Sequence, residues 1–216
     1  LVNENGDAFD SDRLLTVVAD MFLQTHKGVE SIAVPITSSG EIDLLADRHK
    51  VKVVKTRNSH LAMMEAATNK GIRFIGGTKG GFIFTDFFFA TDAMYSLAKL
   101  LEMMAHADKR LGEFDTEIPR LYSARRTVNC SWEHKGKVMR HIMADTDAFR
   151  RDLVDGVKVY LPDGTPGISI LMIPDKERPL FHVSAEAREQ QAADRREFEG
   201  QRRPGSALRA HRRPPC

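Results

Sequence analysis

Apolar residues return at intervals of three and four through Leu14, Leu15, Val18, Met21 and Phe22, which predicts a helix with one buried face. Asp10 or Ser11 stands in front of it as a capping residue. A short apolar run, SIAVPI at 31–36, then reads as a strand. It ends in Thr37-Ser38-Ser39, a polar turn suited to capping the next helix through Ile42, Leu45 and Ala46. VKVVKT at 51–56 reads as the next strand, 59–68 as the next helix and IRFIGG at 72–77 as the strand after that. Strict alternation of strand and helix over 11–84 implies right-handed crossovers and a parallel sheet covered on both faces. A longer helix follows, capped by Thr91 or Asp92 and running through Tyr95, Leu97, Leu100, Leu101 and Met104. Its apolar positions exceed one stripe. The pairs Met63-Met64 and Met103-Met104 read as core packing.

After Gly112 the pattern changes. LYSARRTVNCSW reads as a strand and WEHKGKVMRHIMADTD as a helix. DGVKVYLPDGTPGISILMIP offers two strands around a Pro-Asp-Gly-Thr-Pro-Gly turn, and PLFHVSAEA a third. Residues 185–200 read as a charged helix. The fold class expected is therefore a parallel-rich layered α/β domain followed by a smaller antiparallel α+β domain. Its parts are 1–112, 113–199 and a disordered basic tail at 200–216, with the break near 109–117.

With 42% apolar residues in 216, the chain can bury a real core. No run approaches the roughly 20 consecutive apolar residues of a membrane helix, the nearest being the FIFTDFFFA patch. The formal charge of +2 misleads, because Arg202, Arg203, Arg209, Arg212 and Arg213 all lie after Gly200, where no acid occurs. The preceding part is slightly acidic, so neither nucleic acid nor membrane is an expected partner. A tail of that composition cannot bury enough apolar surface to offset its ordering entropy. The two cysteines, Cys130 and Cys216, build no disulfide framework, and a reducing, cytoplasmic compartment fits best. Leu1-Val2 reads as the end of a strand already under way, as in a piece of a longer protein.

Two segments carry candidate chemistry. Asp7, Asp10 and Asp12 could hold a hard cation, but Asp10 and Asp12 stand at a helix start, where capping is the preferred reading. GGTKGGF, 76–82, follows a strand; its glycines allow close backbone approach to a ligand, and Lys79 adds charge. It fits neither the phosphate-loop nor the dinucleotide fingerprint. His60, Lys55 and Arg57 fall near the C-terminal end of a strand, the edge at which parallel sheets gather ligands. The eight histidines form no metal set.

Taken together, VPITSSGEIDLLADRHKVKVVKTRNSHLAMMEA, GGTKGGFIF, DGVKVYLPDG and PLFHVSAEA resemble the third and fourth domains of the phosphohexomutase family, the phosphomannomutase/phosphoglucomutase enzymes. The resemblance covers about residues 1–190. It implies hexose phosphate as ligand, with His60, Gly77, Thr78, Lys79 and Gly80 on the substrate. Lys176 and Arg178 would stand near its phosphate. Family members interconvert hexose 1- and 6-phosphates through a phosphoserine in the first domain and a Mg²⁺ loop in the second. Neither element can be carried onto this chain, so no catalytic residue, metal ligand or cofactor is expected within it. Mg²⁺ and the missing upstream domains belong to the parent protein.

The surviving loops depart from the family pattern. Where the sugar loop reads GGExSGH, Thr78 stands for Glu, Gly80 for Ser and Phe82 for His. In the family's Gly-His pair, Ser59 replaces Gly while His60 remains. Where the phosphate loop reads Arg-Pro-Ser-Gly-Thr-Glu-Pro, this chain has Ile173-Pro174-Asp175-Lys176-Glu177-Arg178-Pro179. Asp175 and Glu177 would repel phosphate, which Lys176 and Arg178 would partly offset. The chain is in this respect similar to the mutase-like half of proteins in which a nucleotidyltransferase domain of the mannose-1-phosphate guanylyltransferase type comes first. The implied role is a degenerate sugar-phosphate-binding or structural module. The alternative is part of a working mutase.

Overall fold

The computed structural model describes residues 1–161 and 168–189. They divide into two compact units, one spanning Leu1–Arg120 and the other starting at Leu121. The division falls later than a break after 112, because a short helix that the pattern does not announce, Leu111–Glu117, packs in the first unit.

In the first unit the elements follow in the order α1 (Ser11–Thr25), β1 (Ser31–Pro35), α2 (Glu41–His49), β2 (Lys52–Thr56), α3 (His60–Ala67), β3 (Ile72–Gly76), β4 (Phe82–Phe84), α4 (Ala93–Ala107) and α5 (Leu111–Glu117). The sheet runs β2-β1-β3-β4. Strand β1 pairs in parallel with both β2 and β3, whereas β4 turns back antiparallel to β3. The parallel-rich expectation holds: the three strands read from the sequence are parallel, and a fourth that the pattern does not announce pairs antiparallel. A loop of a few residues can only return the chain antiparallel; a parallel return needs a crossover of a dozen or more.

Successive strand residues point to opposite faces. Ile32, Val34, Phe74, Phe82 and Phe84 join Leu15, Val18 and Phe22 of α1 and Leu100 and Met103 of α4 in one core. Ala33, Ile75 and Ile83 pack instead with Met63, Ala66 and Ala67 of α3. Asp10 is the α1 cap, its side chain accepting from the Arg13 amide, and Asp92 caps α4 through the Tyr95 amide. At Gly76 a Cβ would lie 2.0 Å from Leu15 Cδ1, so glycine is what lets β3 run this close to α1.

Two buried charged groups of this unit, Arg13 and Asp20, are held in networks of hydrogen bonds. Arg13 donates to Glu41 Oε2 at 2.8 Å, to Asp115 Oδ1 at 2.5 Å and to the carbonyl oxygens of Asp115 and Ile118. Burial works against its charge, but Asp115 and Glu41 hold its pKa above the ordinary value. Asp20, fully buried on α1, accepts from Arg48 at 2.6 Å and Gln24 at 2.8 Å, and lies 2.9 Å from His49 Nε2.

The second unit holds β5 (Tyr122–Asn129), α6 (Trp132–Asp145), β6 (Arg151–Asp152), β7 (Val157–Tyr160), β8 (Ser169–Pro174) and β9 (Leu180–Ala187). Its sheet, β5-β9-β8-β7-β6, is antiparallel throughout. Ile142 of α6 packs with Val157, Val159, Ile170, Met172, Val183 and Ala185. A helix beginning at 185 is corrected: Ala185, Glu186 and Ala187 extend β9, paired with Ala124, Ser123 and Tyr122. Arg188 and Glu189 form a bend, while residues 190–200 of that expected helix, the turn at 162–167 and the tail at 200–216 lie outside the described residues. Among the described residues no helix is long and apolar enough to cross a membrane.

Candidate functional site

Strands β1, β2 and β3 run in parallel, so their C-terminal ends, at Pro35, Thr56 and Gly76, share one edge of the first unit's sheet. The crevice beyond that edge is where open α/β sheets bind ligands. Ser59 follows β2 and caps α3, its hydroxyl accepting from the Ala62 amide, which makes His60 the first helical residue. After β3, the Gly77 amide donates to the Gly81 carbonyl at 2.8 Å and the Gly80 amide to the Gly77 carbonyl at 3.2 Å. Gly80 takes φ +88°, a conformation that glycine enters without strain. Thr78 and Lys79 occupy the resulting tip, with Lys79 exposed.

His60 belongs to the same place. A Cβ on Gly81 would lie 3.6 Å from His60 Cε1 and 2.8 Å from Thr91 Cγ2, so the imidazole flanks the return arm of the loop. His60, Gly77, Thr78, Lys79 and Gly80 are thereby gathered around one loop. A cleft of about 370 Å³ opens beside it, lined by Gly80, Gly81, Phe82, Thr91, Asp92 and Ser96 among others.

Lys55, grouped by the sequence with His60, does not join them. It is buried and forms an ion pair with Asp43 of α2 at 3.0 Å. The segment after β1 contributes a group that the sequence pattern did not single out for binding. The Thr37 hydroxyl oxygen is buried, with no hydrogen-bond partner among the described residues. Its position directly after a parallel strand was the available signal. The Ser39 hydroxyl accepts from the Glu41 amide, but the N-cap position of α2 is Gly40, which makes no side-chain capping bond.

Two of the three aspartates near the start act as structural acceptors. Asp10 caps α1, and Asp7 accepts from the Asn3 side chain at 3.1 Å. Among the described residues no three His, Cys, Asp or Glu side chains gather into a metal-holding group.

Lys176 and Arg178 lie in the second unit, in the turn between β8 and β9, and both already hold carboxylates. Lys176 Nζ is 3.2 Å from Asp155, while Arg178 pairs with Asp175 at 3.0 Å. Asp175 also accepts from the Glu177 and Arg178 amides, each at 2.8 Å, and lies 2.8 Å from His182 Nε2. The Glu177 amide, His182 and the Arg178 donors keep its carboxyl far below the usual carboxylate range.

Residues 10–122 match the family model for phosphoglucomutase/phosphomannomutase, alpha/beta/alpha domain III. The chain belongs to this family. It is 26% identical over 193 residues to the phosphoglucomutase/phosphomannomutase of Thermococcus kodakarensis, a match covering 89% of this chain and 41% of that protein. Against a probable phosphoglucosamine mutase of Methanopyrus kandleri it is 29% identical over 194 residues, covering 89% and 42%. Among solved structures, a phosphoglucomutase/phosphomannomutase family protein of Burkholderia thailandensis superposes with a TM-score of 0.71 at 20% identity, covering 97% of this chain and 44% of that one. The N-acetylphosphoglucosamine mutase of Aspergillus fumigatus superposes at 0.60 with 12% identity, covering 89% and 46%. These likenesses support the fold of the phosphohexomutase family. The chain spans less than half the length of the relatives it matches.

Proposed function

We propose that this chain is the sugar-phosphate-reading part of a phosphohexomutase-like protein of nucleotide-sugar metabolism, and that it binds a hexose phosphate without transforming it. The observation that carries this reading is the gathering of His60 and the Gly77–Gly80 loop at one sheet edge. Lys79 supplies the positive charge for a phosphorylated ligand, while the loop amides, the Thr78 hydroxyl and His60 offer hydrogen bonds to it. The mutases among its relatives make a hexose phosphate the natural ligand class. The replacements at Thr78, Gly80 and Phe82 remove partners for sugar hydroxyls, so discrimination among hexoses is weak.

In this reading the chemistry of the parent protein, and the Mg²⁺ it would use, belong to upstream domains of the parent rather than to this chain. A sugar-1-phosphate nucleotidyltransferase domain in the same protein is the setting that best accounts for a recognition loop altered at these positions.

Calorimetric titration of the chain with mannose 1-phosphate, glucose 1-phosphate and glucose 6-phosphate tests the proposal. Saturable binding that Lys79→Ala weakens at least about tenfold, the size of one lost charge-assisted hydrogen bond, supports it. No binding at millimolar ligand, or binding indifferent to Lys79, refutes it.

A further inference from the structure

The turn between β8 and β9 is built around a carboxylate. The Glu177 and Arg178 amides converge on Asp175 Oδ1, each at 2.8 Å. The other oxygen, Oδ2, meets Arg178 Nε at 3.2 Å, Arg178 Nη2 at 3.0 Å and His182 Nε2 at 2.8 Å. Two adjacent main-chain N–H groups with a guanidinium and an imidazole form the donor set that proteins aim at oxyanions. Here the anion comes from the turn itself.

The frame of the turn has supports apart from that carboxylate. The Asp175 amide donates to the Leu180 carbonyl at 3.0 Å, and the Cys130 amide to the Pro179 carbonyl at 2.8 Å. From α6, the Lys135 ammonium donates to the carbonyl oxygens of Asp175 and Arg178. Lys135 is only 9% exposed and lies over the Trp132 ring, 3.8 Å from its centroid. Lys135 thus holds the turn from α6 through carbonyls of peptide units other than those whose N–H groups meet Asp175.

We infer that the β8–β9 turn is an oxyanion nest filled by the chain's own Asp175, which stands in for a phosphate and closes the site to one. A tethered ligand competes at an effective concentration on the order of millimolar or above, so free phosphate at similar levels does not displace it. Without the Asp175 carboxylate, the Glu177 and Arg178 amides, Arg178 and His182 take inorganic phosphate. The inference concerns the second unit alone and stands independently of the sugar-phosphate reading of the first.

The experiment is a titration of the full chain with inorganic phosphate at constant ionic strength, following the Glu177 and Arg178 amide resonances. In the wild type these signals stay in place. In Asp175→Gly they shift saturably, with binding about tenfold or more tighter than in the wild type. In Asp175→Asn, whose side-chain oxygen still fills the amides, they stay in place. Asp175→Ser is a second opening variant in case glycine loosens the turn. A saturable wild-type response would overturn the inference, as would a folded Gly or Ser variant that gains none. Loss of the turn in both variants would overturn it too, because the carboxylate would then be the scaffold of the turn rather than its guest.

Discussion

Arg13 and Asp115 stand 102 positions apart in sequence and meet at 2.5 Å, where the guanidinium of α1 ties down α5. The same side chain reaches Glu41 at the start of α2. Arg13→Ala removes the guanidinium shared by Glu41 and Asp115, although Asp115 keeps its ion pair with Arg120. Breaking a buried pair from one side costs about 3–5 kcal/mol. Urea unfolding should show a loss of that size, with Arg13→Lys, which cannot reproduce the fork of contacts, falling between.

The close approach of β3 to α1 gives a second expectation. Gly76→Ala puts a methyl group 2.0 Å from Leu15 Cδ1, and overpacking of this kind costs about 1–3 kcal/mol. Adding Leu15→Ala should recover part of the loss by removing the clashing atom, a coupling measurable in a double-mutant cycle. Because Gly76 opens the Gly77–Gly81 loop, weaker hexose-phosphate binding should accompany the loss.

Acid sensitivity follows from Asp175. Its folded-state pKa is depressed relative to the unfolded chain, so its contribution to stability is present above the unfolded value. That contribution is lost as pH falls below about 4, where the folded turn must give up hydrogen bonds to accept a proton. Thermal melts of wild type and Asp175→Asn should therefore converge as pH is lowered from 5 toward 2 (roughly the carboxylate range). Parallel melting curves over that range would show that the carboxylate contributes nothing to folding.

The first unit also exposes Phe87, Phe88, Phe89, Met94, Leu97 and Leu101, the last three on α4. Exposed side chains contribute little to folding, so Phe88→Ser with Leu101→Ser should move the unfolding midpoint only within about 0.5 kcal/mol. The same change should reduce self-association in sedimentation experiments, since apolar patches of this kind promote it.

Much of the architecture is legible in the sequence because local signals agree with the tertiary outcome. Asp10 and Asp92 precede periodic apolar faces, and each does cap its helix. SIAVPI, VKVVKT and IRFIGG are apolar runs of strand length between helical patterns. Strand β4 escapes because a run such as Phe82–Phe84, buried at every position, carries no sign of its direction. The helix Leu111–Glu117 is too short for a period, and its Gly112 argues against it. At Ala185–Ala187 the residues favour a helix, yet pairing with Tyr122–Ala124 extends the strand.

The candidate site divides in the same way. The loop at 76–82 and His60 could be read from their places after parallel strands, whereas Lys55, equally near a strand end, is taken up by Asp43. Asp175 read as a group that would repel a ligand. Its role in the turn depends on backbone N–H directions and on Lys135, from a helix 40 positions away, neither of which is encoded locally.

The central claim, that the chain binds a hexose phosphate through the loop at Gly77–Gly81 and does not transform it, can be tested in one sample. Amide and phosphorus NMR would be recorded together with mannose 1-phosphate and Mg²⁺ present. Saturable shifts centred on His60 and Gly77–Gly81 are expected, with the 1-phosphate signal unchanged over hours. Shifts absent from that loop, or a growing 6-phosphate signal, would contradict it.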